Sequence, residues 1–304
     1  MDANRILSEF PERRTKNQKR QFRAAVLSYV RSLGYSAYVE TGAFRTRNVI
    51  IGNPNTADYL ITAHYDTCRM LPLKSGLYPC SRVGILAFIL WRLILILIIP
   101  SILSAITLYF GIIWVEISVF SAALLAEIGA MVLFRINPFA MFRGDSGILT
   151  LLNLAEGLQR LHRKKVCFVL FDGKQTGFIG SYSYRKLHPD GFKRQICLDF
   201  NDVSAGDQIY LFPGKGMRAD PDMKKKLKAL SGYYGKKLMY CPSRGFCVSD
   251  YLLFPYGVGI CSADKRIRNL FLKRNRRKNA PKDQTNVNLL HAAILSFCSC
   301  NAVK

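Results

Sequence analysis

The sequence predicts an α/β domain, a sheet layered by helices, interrupted by a membrane-spanning insertion. Three observations carry this. Short β-rich runs alternate with helical stretches along most of the 304 residues, as in a sheet covered by helices. The run Val166–Phe171 is apolar throughout, which suits a strand in mid-sheet with both faces covered. Leu93 to Val115 is a stretch of 23 residues without a charge, and the apolar stretch Ile117 to Phe134 follows almost at once. A bilayer core about 30 Å thick needs about 20 apolar residues in a helix.

Thr15 to Leu33 reads as a basic amphipathic helix, with Phe22, Val26, Tyr29, Val30 and Leu33 at helical spacing and Gly34 as the stop. Asn48–Gly52 and Tyr59–Ala63 are short strands. After the insertion, Ser146 to His162 is a second helix with Leu149, Leu152, Leu158 and Leu161 as its buried stripe. Val166–Phe171, Gln195–Phe200 and Gln208–Phe212 are strands, Lys224 to Leu230 a short basic helix, Val258–Cys261 a further strand, and Leu289 to Cys298 the closing helix. The fold class is therefore a central sheet flanked by helices, built from residues 1–82 and 136–304, with residues 83–135 inserted.

Gly111 lies near the midpoint of the insertion. The natural reading is a two-helix transmembrane hairpin with spans at about 83–109 and 112–134. Arg92 falls inside the first and Glu127 inside the second, at similar depth in an antiparallel pair. Each alone costs ~2.5–3.5 kcal/mol at mid-bilayer, so the sequence predicts that they face each other. Arg69, Lys74, Arg82, Arg135 and Arg143 flank the two ends, and the turn around Tyr109–Gly111 carries no Lys or Arg. The positive-inside rule then puts the globular lobe in the cytoplasm.

Lys and Arg number 44 against 20 acidic residues, a formal charge of +24. Such an excess points to a polyanionic neighbour. Lys265, Arg266, Arg268, Lys273, Arg274, Arg276, Arg277 and Lys278 form one basic run, and Lys224–Lys226 with Lys228 another. For a tethered domain an anionic leaflet, which attracts each nearby Lys or Arg by about 1 kcal/mol, explains these runs more simply than nucleic acid. The nine cysteines include no C-x-x-C pair, so neither a disulfide framework nor a zinc finger is readable and reduced thiols are expected. Met1 to Arg20 is charged and lacks the apolar core of a signal peptide. Gly-rich phosphate loops are absent. His162, His188 and His291 lack ligand spacing, and Cys247 has no histidine assigned to it.

The chemistry-bearing residues lie at strand ends. Tyr59-Leu-Ile-Thr-Ala-His64-Tyr-Asp66-Thr67 is a strand ending in His-x-Asp. Downstream come Ser146-Gly147 opening a helix, then Asp172-Gly-Lys-Gln-Thr-Gly-Phe-Ile-Gly-Ser181 after a strand. Ile196-Cys-Leu-Asp199-Phe and Ser249-Asp250-Tyr-Leu-Leu-Phe-Pro-Tyr-Gly257 follow. In order and spacing these resemble the co-catalytic dizinc aminopeptidases, the twenty-eighth metallopeptidase family of clan MH, over about residues 15–82 and 137–290. The resemblance implies a mixed sheet with a two-zinc site at its carboxyl edge, where paired zincs generate hydroxide and a Glu serves as general base. By the same resemblance His64 and Asp199 match zinc ligands, and Asp66 matches the carboxylate that orients the histidine.

The remaining positions depart from the family. Its Asn-Asp-Asn-x-Ser-Gly becomes Phe142-Arg143-Gly144-Asp145-Ser146-Gly147, so Arg143 takes the bridging position and Asp145 reaches it only with a local shift. The Glu-Glu pair, base then ligand, becomes Lys174-Gln175, and the last histidine becomes Asn279. Acidic groups are lost and cations gained. The expectation is that Arg143 and Lys174 replace the charge of the metals and hold Asp66, Asp199 and Asp145, so that no cofactor binds. The leading reading is a membrane-anchored, non-hydrolytic relative that acts by binding a peptide or protein partner. The alternatives are an active metallopeptidase with a reduced zinc site at His64, Asp199 and Asp145, and a membrane-tethered polyanion binder.

Overall fold

The computed structural model describes residues 2–67, 69–70, 77–109, 113–133, 136–137, 145–158, 160–203, 206–233, 238–241, 247–267, 270–273 and 284–300. Helices α1 (Ala3–Glu9) and α2 (Lys16–Ser32) lead into β1 (Ala37–Thr41), β2 (Arg47–Ile51) and β3 (Tyr59–His64). Short strands β4 (Arg69–Met70) and β5 (Leu77–Pro79) precede helices α3 (Arg82–Tyr109) and α4 (Ile113–Leu133) and strand β6 (Ile136–Asn137). Then come α5 (Asp145–Gly157), β7 (Val166–Phe171), α6 (Ile179–Leu187), α7 (Pro189–Arg194), β8 (Ile196–Phe200) and β9 (Gln208–Pro213). The chain closes with α8 (Lys215–Ala219), α9 (Pro221–Tyr233), β10 (Leu238–Tyr240), β11 (Tyr256–Ala263), β12 (Lys265–Ile267), β13 (Phe271–Lys273) and α10 (Gln284–Cys300).

Two compact units result. The first comprises residues 1–67, 76–81 and 142–304, and the second residues 68–75 and 82–141. The first holds an eight-stranded mixed sheet in the order β1-β2-β7-β3-β8-β11-β9-β10. Strands β7, β3, β8 and β11 run parallel in its middle, whereas β1, β2 and β9 pair antiparallel. Every residue of β3, β7 and β8 is buried. Alternate residues serve opposite faces: Val166, Phe168 and Leu170 join one core cluster, with α1, α2 and α5, while Cys167, Val169 and Phe171 join the other, with Tyr184 and Phe192. The sheet is thus covered on both sides, as the uninterrupted apolar run of β7 requires.

Local signals explain the boundaries. The Thr15 side chain accepts from the Gln18 amide and the Gln18 side chain returns the contact, a capping box that starts α2. Gly34, at φ +85°, ends it. Helix α5 starts at Asp145 and stops at Gly157, five residues short of the expected His162, and a 3-10 segment, Arg160–Lys165, follows. A Cβ on Gly157 would lie 2.2 Å from His291 Nε2, so a larger residue there requires the His291 side chain of α10 to move. Gly147 plays the same part against β8, where a Cβ would meet the Phe200 carbonyl oxygen at 2.5 Å. Of the basic run, Lys265, Arg266 and Lys273 lie in a three-stranded sheet, β12-β13-β5.

In the second unit, α3 and α4 pack on each other and β4 pairs with β6. Arg82–Ile106 is long and apolar enough to cross a bilayer, and among the described residues of α4 Ile117–Met131 forms a shorter apolar stretch. Leu86, Leu90, Ile94, Ile98, Ile102 and Ile106 are all exposed, and their spacing of four makes one apolar stripe along α3. The expected ion pair is not formed. Arg92 Nε and Nη1 and Glu127 Oε2 have no protein partner, and the Arg92 guanidinium instead lies 5.0 Å over the ring of Phe88, one helical turn earlier.

Candidate functional site

The carboxyl ends of the parallel strands β3, β7 and β8 meet at one edge of the sheet, where ligands of such sheets bind. His64 is the last residue of β3 and sits beside Phe171 of β7, while Thr62 sits beside Asp199 of β8. Thr62 and His64 share a face of β3, and Asp199 and Asn201 continue the same alternation along β8. Beyond β7 the chain turns through Gly173, in the left-handed region at φ +70°, and presents Lys174 and Gln175 to this edge.

Lys174 stands in the middle of the cluster. Its Nζ lies 3.1 Å from His64 Nδ1 and 2.9 Å from Ser249 Oγ, and it donates to Asn201 Oδ1. An ammonium has three N–H donors, and these three acceptors use them all. Ser249 Oγ in turn contacts Asp199 Oδ2 and lies 2.7 Å from Asn201 Oδ1. Asp199 also accepts from Thr62 Oγ1 at 2.9 Å and from the Tyr251 amide at 3.3 Å. His64, Asp199, Asn201 and Ser249 are fully or almost fully buried. With Nδ1 accepting, the proton of neutral His64 belongs on Nε2, and neither this atom nor Asn201 Nδ2 has a protein partner.

The other carboxylates are held separately. Asp66 accepts the backbone amides of Lys174 at 3.3 Å and Gln175 at 3.0 Å. Asp145, at the start of α5, pairs with Arg13. Arg13 is completely buried and also donates to the carbonyls of Tyr65 and Phe10. Asp172 takes the Lys19 ammonium. The side-chain bonds of Lys174 go to His64, Asn201 and Ser249 and not directly to a carboxylate. Asp66 is bound by main chain, Asp199 reaches Lys174 through Ser249, and Arg13 serves Asp145. Arg143 and Asn279 lie outside the described residues.

The electrostatics follow the burial. Burial first, then the Lys174 and Arg13 cations, keep the His64 pKa well below the ordinary imidazole value. Burial raises that of Asp66, partly offset by Lys19 and the Gln175 amide. Asp250, whose Oδ1 accepts from Ser181 Oγ and whose Oδ2 has no partner, is pushed up to about 7 by burial and by Asp199.

These residues do not fit a pair of zinc ions. Zinc takes three or four N, O or S ligands per ion, and among the described residues no group of three or more His, Cys, Asp or Glu is arranged to hold a metal. His64 and Asp199 are joined instead through an ammonium, whose charge opposes a second cation. An ammonium with three filled donors also lacks the lone pair that a general base needs. Asn201, Arg13 and Ser249 escaped assignment from sequence. Asn201 lies two residues after Asp199, just past the end of β8, whereas Arg13 is brought to Asp145 only by the tertiary fold.

The model of peptidase family M28 matches residues 144–284. Among curated proteins none matches the chain in sequence. Among solved structures it resembles the glutaminyl cyclase of Porphyromonas gingivalis, with TM-score 0.59 and 14% identity over 98% of this chain and 96% of that one. A leucine aminopeptidase precursor from Bacteroides thetaiotaomicron gives 0.56 and 13% over 97% and 93%. The LapA aminopeptidase of Legionella pneumophila gives 0.56 and 11% over 100% and 72%. Residues 144–284 are thus similar in sequence to peptidase family M28, and the chain shares the fold of these zinc-peptidase-like structures.

Proposed function

We propose that this chain is a membrane-anchored, non-hydrolytic member of the M28 fold group that acts by binding a peptide or protein partner. The observation that carries the proposal is the place of Lys174 Nζ, 3.1 Å from His64 Nδ1 and bonded to Asn201 and Ser249. Lys174 supplies positive charge to the His64–Asp199 half of the site, and Arg13 supplies it to Asp145. Two organic cations then stand in for two metal ions, and no hydroxide is generated. The exposed apolar stripe of α3 supports anchoring in a bilayer. A two-span hairpin with the lobe on the cytoplasmic side agrees with the basic residues at its ends, and the +24 charge favours contact with anionic lipid over nucleic acid.

The test uses the full-length chain purified in detergent. Metal analysis is expected to find no stoichiometric zinc, and peptides with free N-termini, including N-terminal glutamine, are expected to remain unchanged. One or two zincs per chain together with aminopeptidase or cyclase turnover overturn the reading.

A further inference from the structure

The turn between β1 and β2 presents an aromatic ring to solvent. Phe44, at its tip, is 84% exposed, more than any other large apolar side chain among the described residues of the first unit. Its backbone is also strained. Among the described residues only Phe44, Arg45 and Phe178 have positive φ without being glycine, and Phe44 (φ +53°) and Arg45 (φ +60°) are consecutive. Bulky residues avoid this region, and such strain persists only where surrounding contacts fix it.

Those contacts lie beneath the tip. The Gly42 amide donates to the Thr46 carbonyl at 2.9 Å and closes the turn. The Ala43 amide donates to Ser183 Oγ of α6 at 2.9 Å, and Thr46 Oγ1 lies 3.3 Å from the same oxygen. Ser183 and Thr46 are both buried. A Cβ on Gly42 would lie 2.3 Å from Ser183 Cβ, so the turn sits directly against α6. The residues that follow bind the segment leading to Lys174. The Arg47 amide donates to Asp172 Oδ2 at 3.3 Å, and the Asp172 amide donates to Asn48 Oδ1 at 3.1 Å. The tip is thus a braced finger at the carboxyl edge of the sheet. The chain passes into the second unit after Thr67, three residues beyond His64 at that same edge.

Arg45 and Arg47 follow Phe44 and are exposed. Glu40 is the only acidic residue in Ala37–Ile51, and its carboxylate is turned to His188 Nε2 at 2.7 Å. The exposed face of the tip is therefore aromatic and cationic. We propose that it is a membrane-contacting finger, in which the Phe44 ring enters the headgroup region of an anionic leaflet and Arg45 and Arg47 bind lipid phosphates. The proposal rests on the membrane anchoring argued above. An isolated aromatic ring needs no matching pocket in a fluid interface, and each arginine near an anionic leaflet adds attraction. A second point of attachment then holds the Lys174 edge of the lobe at the lipid surface.

The test reconstitutes the purified full-length chain into phosphatidylcholine vesicles with and without phosphatidylserine, made with brominated acyl chains that quench tryptophan. The two native tryptophans, Trp91 in α3 and Trp114 in α4, report on the anchor. F44W in a W91F/W114F background reports on the finger. The expected result is quenched, blue-shifted F44W emission in phosphatidylserine vesicles. The ratio of engaged to free finger falls about fivefold for each of R45Q and R47Q. L187W, half-exposed at the other end of α6, stays unquenched in the same background. If F44W does not fold, hydrogen exchange in the wild-type chain decides, with the Phe44 and Arg45 amides exchanging more slowly when phosphatidylserine is present. Solvent-like F44W emission, the result that docking to a protein instead of lipid gives, overturns the finger and leaves the anchor standing if the native tryptophans are quenched. Quenching or exchange that ignores phosphatidylserine, or quenching of L187W equal to that of F44W, also overturns it. Unquenched native tryptophans overturn the anchor instead, and F44W with the same vesicles still decides the finger.

Discussion

Lys174 Nζ lies 3.1 Å from His64 Nδ1, so a lysine donates to the ring that the family resemblance marks as a metal ligand. The contact makes the two side chains interdependent. The ammonium keeps the imidazole neutral, and the imidazole, with Asn201 and Ser249, saturates the ammonium.

Lys174→Met breaks this arrangement from one side. It leaves Asn201 Oδ1, Ser249 Oγ and His64 Nδ1 short of a donor and takes a cation from beside Asp199. Lys174 is partly exposed, so the expected loss is about 2 kcal/mol, within the range for charge-assisted hydrogen bonds. Chemical denaturation of the full chain measures it. The His64 pKa rises at the same time, because one of the charges depressing it is gone, and a histidine NMR titration reads the change. An unmoved His64 refutes the coupling.

Arg13→Met tests the second cation. Arg13 is fully buried with three acceptors, and its loss orphans two carbonyls and the Asp145 carboxylate. The cost is about 3 kcal/mol, read as a lowered unfolding midpoint. Arg13→Lys recovers only part of it, since an ammonium does not reproduce the planar fork. Full recovery counts against the geometry described.

Asp250 gives the pH dependence. Its carboxyl is raised from the ordinary 3.8 to about 7 in the folded chain, so between these values the folded state holds a proton that the unfolded state has lost. Stability from this group is complete below about 4 and disappears as pH rises through about 7. Asp250→Asn keeps a neutral side chain at all pH. The stability of the variant relative to wild type is therefore expected to increase from pH 4 to pH 7 and then level off. A difference independent of pH shows that Asp250 ionises normally.

The exposed stripe on α3 predicts that the chain stays with the membrane through an alkaline carbonate wash, and that detergent releases it. The proposed topology, with both termini cytoplasmic, predicts that a glycosylation acceptor inserted at residues 110–112 is modified and one at the N-terminus is not. Recovery in the aqueous supernatant contradicts membrane anchoring, and modification at the N-terminus reverses the topology.

Much of this fold was legible in the sequence because strong local signals agree with it. The apolar run of β7, the capping box of α2 and the placement of His64, Asp199 and Lys174 at strand ends all depend on near neighbours. The positions that escaped depend on distance. Arg13 meets Asp145 across 132 positions of chain, and no periodicity announces a buried arginine. Helix α5 ends at Gly157, five residues before the expected His162, where a 3-10 segment takes over at Arg160. The pairing of Arg92 with Glu127 failed because depth along a helix was considered without rotation about it, and Phe88 on the same face took the guanidinium.

Strand β3 is made before the inserted helices, yet both strands that flank it, β7 and β8, are made after them. On a ribosome its six buried positions therefore wait without these neighbours while α3 and α4 are synthesised. The eight-stranded sheet can close only after the inserted segment has been made. Nascent chains arrested before residue 171 should be protease-sensitive along β3, and those extended past residue 200 resistant, which makes the insertion a pause in folding rather than a break in the fold.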